Sequence, residues 1–157
     1  AKSKYLKRVK RLTLANNNIS DEGAMAIANS DQCKKLVELD FYGNVISDDG
    51  VKAIAESPGM ANLKKLNLYG NLVEDEGAIA IAESKTLSKL RYLFLTSNRI
   101  RKQGIDALKK AKCGARLCNL HLDDLKDFIY QDDDDDQAVG WDDLEMPADD
   151  SLDGDDD

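Results

Sequence analysis

A 27-residue period governs this chain. Gly23, Gly50, Gly77 and Gly104 stand at that interval, and so do Asn17, Asn44, Asn71 and Asn98. Three apolar ladders keep the same step. They are Val9, Leu36, Leu63, Leu90 and Leu117; Leu12, Leu39, Leu66, Leu93 and Leu120; and Leu14, Phe41, Leu68, Leu95 and Leu122. Residues 67–83, NLYGNLVEDEGAIAIAE, nearly restate residues 40–56, DFYGNVISDDGVKAIAE. A unit this short cannot hide its own apolar face, so such units stack and share a continuous core.

Each unit has two halves. The alternating leucines of LNLYG and LFLTS have the period of a strand with one buried face. The asparagine that follows can satisfy backbone groups where the chain leaves the strand, which a leucine cannot. Helices are expected to begin near Ser20, Ser47 and Glu74, with Asp and Glu in the first turn facing the positive helix end. The small apolar stripe Ala24, Ile27 and Ala28, with its copies, packs against the strand layer.

The resulting pattern, L-x-x-L-x-L-x-x-N-x-I/V followed by acids, glycine and an Ala/Ile-rich run, resembles the leucine-rich repeat, specifically the ribonuclease-inhibitor-like subfamily. The resemblance covers roughly residues 6–125. It implies an α/β solenoid, a right-handed horseshoe segment with parallel strands on the concave face and helices on the convex face. The expected organisation is a repeat domain over 1–130, with about four and a half repeats and a C-terminal cap that includes Leu125, Phe128, Ile129 and Tyr130. An acidic, disordered tail is expected over 131–157.

Charge separates along the same boundary. The net charge of −8 conceals two opposite parts: all 22 Lys and Arg lie at or before Lys126, while half of the 30 Asp and Glu follow it. The chain thus reads as a mildly basic module with an acidic appendage. No apolar run is long enough for a transmembrane helix, and no secretory signal pattern opens at Ala1. The three cysteines, Cys33, Cys113 and Cys118, read as reduced thiols of an intracellular protein, cytoplasmic or nuclear.

The residues between the ladder leucines are expected to point into solvent from the concave side. They form three columns: Arg11, Glu38, Lys65, Tyr92, Asn119; Thr13, Asp40, Asn67, Phe94, His121; and Ala15, Tyr42, Tyr69, Thr96, Asp123. Tyr42, Tyr69, Tyr92 and Phe94 make a slanting aromatic band rimmed by Asp40, Asn67, His121 and Asp123. Aromatic side chains outside a core supply contact area at low entropic cost, so this band is the candidate protein-binding surface. Mutual stacking that stiffens the sheet is the alternative. His121 beside Asp123 has no neighbouring nucleophile, and the repeat geometry itself explains Cys113, Cys118 and His121. Neither catalysis nor a metal nor another cofactor is expected.

Three departures from the pattern remain. Lys2, Lys4, Lys7, Arg8, Lys10 and Arg11 crowd the first strand, either guarding an exposed sheet edge or meeting an acidic partner. No aromatic interleaving marks a nucleic-acid surface, and none is expected. Arg99, Arg101 and Lys102 stand where other repeats carry Ser, Asp or Glu at a helix start, an unfavourable placement that calls for compensation by an acidic ligand or the tail, unless the terminal repeat has simply drifted. In the tail, Trp141, Leu144 and Met146 are hydrophobic residues spaced through acid, and Trp141, Asp142, Asp143 and Leu144 make a short motif loosely similar to the tryptophan-acidic peptides that kinesin light chains recognise.

The function these features suggest is a non-enzymatic interaction module or scaffold subunit. Its concave face holds a protein partner, and its tail engages a basic surface. One alternative is a chaperone of histones or other basic proteins, a layout similar to the acidic leucine-rich nuclear phosphoproteins. Another is a GTPase activator, since the activators of the Ran GTPase also join such repeats to an acidic tail.

Overall fold

The computed structural model describes residues 4–113 and 119–121, with side chains over 6–111. Five short parallel strands form one sheet in chain order: β1 (Arg11–Thr13), β2 (Glu38–Asp40), β3 (Lys65–Asn67), β4 (Tyr92–Phe94) and β5 (Asn119–His121). Helices α1 (Asp21–Ala28), α2 (Asp48–Glu56), α3 (Asp75–Glu83) and α4 (Lys102–Cys113) connect them. The 3-10 turns Asp31–Cys33 and Pro58–Met60 lead from helix back to strand, and another, Lys4–Arg8, precedes β1.

The sequence period is the register of the sheet. Leu12 pairs with Leu39, Leu39 with Leu66, Leu66 with Leu93 and Leu93 with Leu120. Leu39, Leu66 and Leu93 are wholly buried, in one cluster with Ala24, Ala28, Ile54, Ala55, Ala78 and Ile81 from the helices. Parallel crossovers of one hand place every helix on the same side of a sheet with this order. That side is the leucine side, and α1–α4 form a second layer in which each helix packs on the next. The fold is an α/β leucine-rich repeat solenoid.

The asparagines bridge repeats rather than serving only their own. Asn71 Nδ2 donates to the carbonyls of Leu68 (3.1 Å) and Tyr69 (3.3 Å) in its own repeat and of Phe41 (2.9 Å) in the preceding one. Its Oδ1 accepts from the Ile46 amide at 3.0 Å. Asn44 and Asn98 make the corresponding bonds, to Leu14 O and Ile19 N and to Leu68 O and Val73 N. A buried amide with every bond made is the condition under which a polar core residue stabilises rather than costs.

Helix starts fall where expected, with Ser20, Ser47 and Glu74 at the cap position, but none of these side chains caps its own helix. The preceding repeat supplies the cap. Asp21 Oδ1 accepts from the amides of Ser47 (2.7 Å) and Gly50 (3.0 Å), and Ser47 Oγ donates to Asp21 Oδ2 at 2.6 Å. Asp48 accepts from Glu74 N, and Asp75 from Arg101 N and Gly104 N. A carboxylate here meets both unpaired amides and the positive helix end. The glycine ladder has the same cause, because a Cβ on Gly77 would lie 2.6 Å from Asp48 Oδ1 and 2.9 Å from Val73 Cγ1. At the other helix end, Ser57 Oγ donates to Ala28 O and Ser84 Oγ to Ala55 O, again across one repeat.

Two substitutions test this construction. Leu66→Ala should lower unfolding stability by about 2–5 kcal/mol through lost transfer energy and a residual cavity. Asp21→Ala should cost about 1–3 kcal/mol by stranding two amides of the next helix, and Asp21→Asn, which keeps an acceptor, should cost less. Urea unfolding should show a lower midpoint at unchanged slope for each.

Candidate protein-interaction surface

Strand side chains alternate between faces, so the residues flanking the ladder leucines lie on the face that none of the described α-helices covers. The expectation that these columns point freely into solvent is corrected by the structure. Arg11 and Thr13 are exposed, and Glu38 and Tyr92 are half-buried. Asp40 (7%), Lys65 (4%), Asn67 (5%), Phe94 (7%) and Thr96 (8%) are nearly inaccessible.

Local bonding explains part of that burial. Asp40 Oδ1 accepts from the Tyr42 amide at 2.9 Å, and Asn67 Oδ1 from the Tyr69 amide at 3.0 Å. Both side chains thus fold back on the turn that follows the strand, as Asp and Asn characteristically do. Gly43 and Gly70 come next with φ of 64° and 65°, where a side chain would be strained, and Asn16 and Ser97 hold the same conformation at the equivalent positions. Lys65 Nζ lies 6.0 Å from the centre of the Phe94 ring, so Phe94 receives a cation from the neighbouring strand.

The turn aims the two tyrosines. Tyr42 and Tyr69 stack with ring centroids 5.1 Å apart and planes at 21°. Tyr42 remains 39% exposed and Tyr69 half-buried. Val45, three residues beyond Tyr42, is 42% exposed, and in the adjacent repeat Leu72 occupies the equivalent position, half-buried. Val45 was missed in the sequence reading because it lies outside the strand, although the 27-residue column Asn18, Val45, Leu72, Arg99 could have found it. Among the described residues, Tyr42 and Val45 are the exposed large hydrophobic side chains, and Tyr69 and Leu72 are half-buried at the equivalent positions of the next repeat. Tyr92 stands in the column nearer the strand start, and Phe94 is buried.

His121 enters the description as the backbone partner of Phe94 in the β4–β5 pairing. Asp123, the tail residues Trp141, Asp142, Asp143 and Leu144, and the cap of Leu125 to Tyr130 lie outside the described residues.

The misplaced cations at the start of α4 have an internal answer. Asp75 of the preceding repeat bonds the Arg101 and Gly104 amides, and Arg99 stands 3.9 Å from Glu74. That ion pair is exposed and worth little, but the Asp75 cap does not depend on which residue starts α4. The column Asp21, Asp48, Asp75 continues to Lys102, and each of the three aspartates serves the start of the helix that follows its own.

The Ser20 hydroxyl lowers the pKa of Glu22, Lys34 lowers that of Asp31, and Lys52 and Glu76 stabilise each other's charged forms, all at the surface. Among the described residues, no group of three His, Cys, Asp or Glu converges on a metal position, and no helix is long and apolar enough to cross a membrane. Cys33 is a buried free thiol.

Comparison with known proteins agrees with the fold. A family model described as Leucine Rich repeat matches residues 9–28, 32–55 and 59–82. No curated protein matches the sequence. Among solved structures, the chain is similar to one described as Leiomodin-1 Actin-Binding Site 2, at 16% identity and a TM-score of 0.61, over 76% of this chain and 73% of that one. The three matched segments coincide with the first three strand–helix units of the solenoid.

A stacked pair on the surface should matter little to folding. Tyr42→Ser should cost no more than about 1.5 kcal/mol, the scale of an aromatic pair, as measured by urea unfolding. A larger loss would make the pair part of the framework.

Proposed function

We propose that this chain is a non-enzymatic protein-interaction module that holds a partner protein on its concave, helix-free face, at the stacked pair Tyr42 and Tyr69 with Val45 and Leu72 beside it. One observation carries the reading: Tyr42 and Val45 are the large apolar side chains exposed among the described residues, and both belong to adjoining parts of one turn. Such a patch loses little entropy on binding and keeps polar tips toward water when free. Asp40 and Asn67 act beneath it by fixing the tyrosine amides. Tyr92, His121 and Asp123 extend the surface toward β5, whereas Phe94 is buried and does not face a partner. The tail, with Trp141, Asp142, Asp143 and Leu144, engages a basic surface, and the Asp-rich run Asp132–Asp136 supports that pairing by charge.

Leucine-rich repeats elsewhere carry protein-binding surfaces, and the solved neighbour is described as an actin-binding site. A reading as a chaperone of basic proteins draws on the tail composition alone. The GTPase-activating reading has no residue among the described ones to carry it.

The double variant Tyr42→Ser/Tyr69→Ser tests the proposal. A partner captured from lysate by the full chain, then purified and titrated, should bind the variant at least about 30-fold more weakly, as loss of central aromatic contacts of about 2 kcal/mol or more requires. Equal binding by a folded variant would remove the tyrosine face as the site.

A further inference from the structure

Charge is distributed unevenly around the repeats. Where the chain enters the strands, successive equivalent positions hold Lys10, Val37, Lys64 and Arg91, joined across repeats by Val37 N to Lys10 O, Lys64 N to Val37 O and Arg91 N to Lys64 O. The next column adds Arg11 and Lys65 against one acid, Glu38. Neighbouring strands are about 4.8 Å apart, so these five cations gather where the chain enters β1, β3 and β4, with Lys65 nearly buried and the Arg91 guanidinium donating to the Ser88 and Leu90 carbonyls. At the opposite end, Asp21, Glu22, Asp48, Asp49, Glu74, Asp75 and Glu76 crowd the starts of α1–α3. On the helix-free face, Lys65, Asp40, Asn67 and Thr96 each expose less than a tenth of their surface.

We propose that the acidic segment 127–157 of this same chain docks on the helix-free face, its carboxylates along the Lys10, Arg11, Lys64 and Arg91 edge and Trp141 against the sheet. Charge complementarity selects this occupant: every basic residue precedes Asp127, and 15 of the 30 Asp and Glu follow Lys126. Reach permits it. The sheet spans roughly 20 Å from β1 to β5 at about 4.8 Å per strand. The segment from His121 to Trp141 can extend about 66 Å at about 3.3 Å per residue. The proposal rests on the tail's need for a basic surface, which it names, and not on the tyrosine pair as a partner site. It makes the tail an intramolecular competitor of anything that binds this face.

Trp141 is the sole tryptophan and reports the contact directly. Acrylamide quenching of the full chain at about 0.01 M salt, where the Debye length is about 30 Å, should be severalfold weaker than quenching of a synthetic 131–157 peptide. It should rise to the peptide's value at about 1 M salt, where that length is about 3 Å. The variant Lys64→Glu/Arg91→Glu should quench like the peptide at low salt, with circular dichroism confirming its fold. Should it not fold, the salt titration of the unmodified chain decides alone. Peptide-like quenching of the full chain at low salt overturns the proposal. Protection that vanishes on dilution overturns the intramolecular form, since it places the tail on a second copy. Neither outcome touches the tyrosine-face reading, which stands on its own titration.

Discussion

The structure depends on polar side chains that reach from one repeat into the next. Asn44, Asn71 and Asn98 each tie the strand exit of their own repeat to the turn of the one before. Asp21, Asp48 and Asp75 cap the helix that follows, and Ser57 and Ser84 close the helix that precedes. Leucine packing supplies the larger free energy, but it is non-directional. The amide and carboxylate bonds fix where each unit sits against its neighbour, because a slipped register would strand buried polar groups. A stack coupled in this way behaves as one platform.

That platform determines what the helix-free face can do. The same turn that engages the asparagine also holds the Tyr42 and Tyr69 amides through Asp40 and Asn67. The aromatic pair is therefore presented by backbone that two ladders have already ordered. A preordered contact loses less on binding than a loop that must first be arranged. In the docking proposed for the acidic tail, the basic edge adds a second, electrostatic layer to the same face.

Much of the fold was legible because its signals recur. One repeat alone would have left the Asn and Gly roles open, whereas four copies in step established register, strand face and helix starts at Ser20, Ser47 and Glu74. What could not be read was anything that crosses repeats at unequal positions. Ser47 carries the residue type of a self-cap, yet Asp21 does the capping, so Arg99, Arg101 and Lys102 seemed to demand an outside anion when Asp75 already served. Burial of Lys65 and Asp40 was likewise hidden, since strand alternation tells which face a side chain takes and says nothing of the local bonds, such as Asp40 to the Tyr42 amide, that fold it back. Val45 escaped for a third reason: it sits in a turn, where no periodicity of strand or helix applies.

The direct test of inter-repeat coupling is urea unfolding of Asn71→Ala, followed in parallel by far-ultraviolet circular dichroism and tyrosine fluorescence. If the asparagines bind the repeats into one unit, both signals should shift together to a lower midpoint, by about 2–4 kcal/mol for a buried amide whose partners on two repeats are left unmade. Two separated transitions, or a midpoint that does not move, would mean that the repeats stand by leucine packing alone.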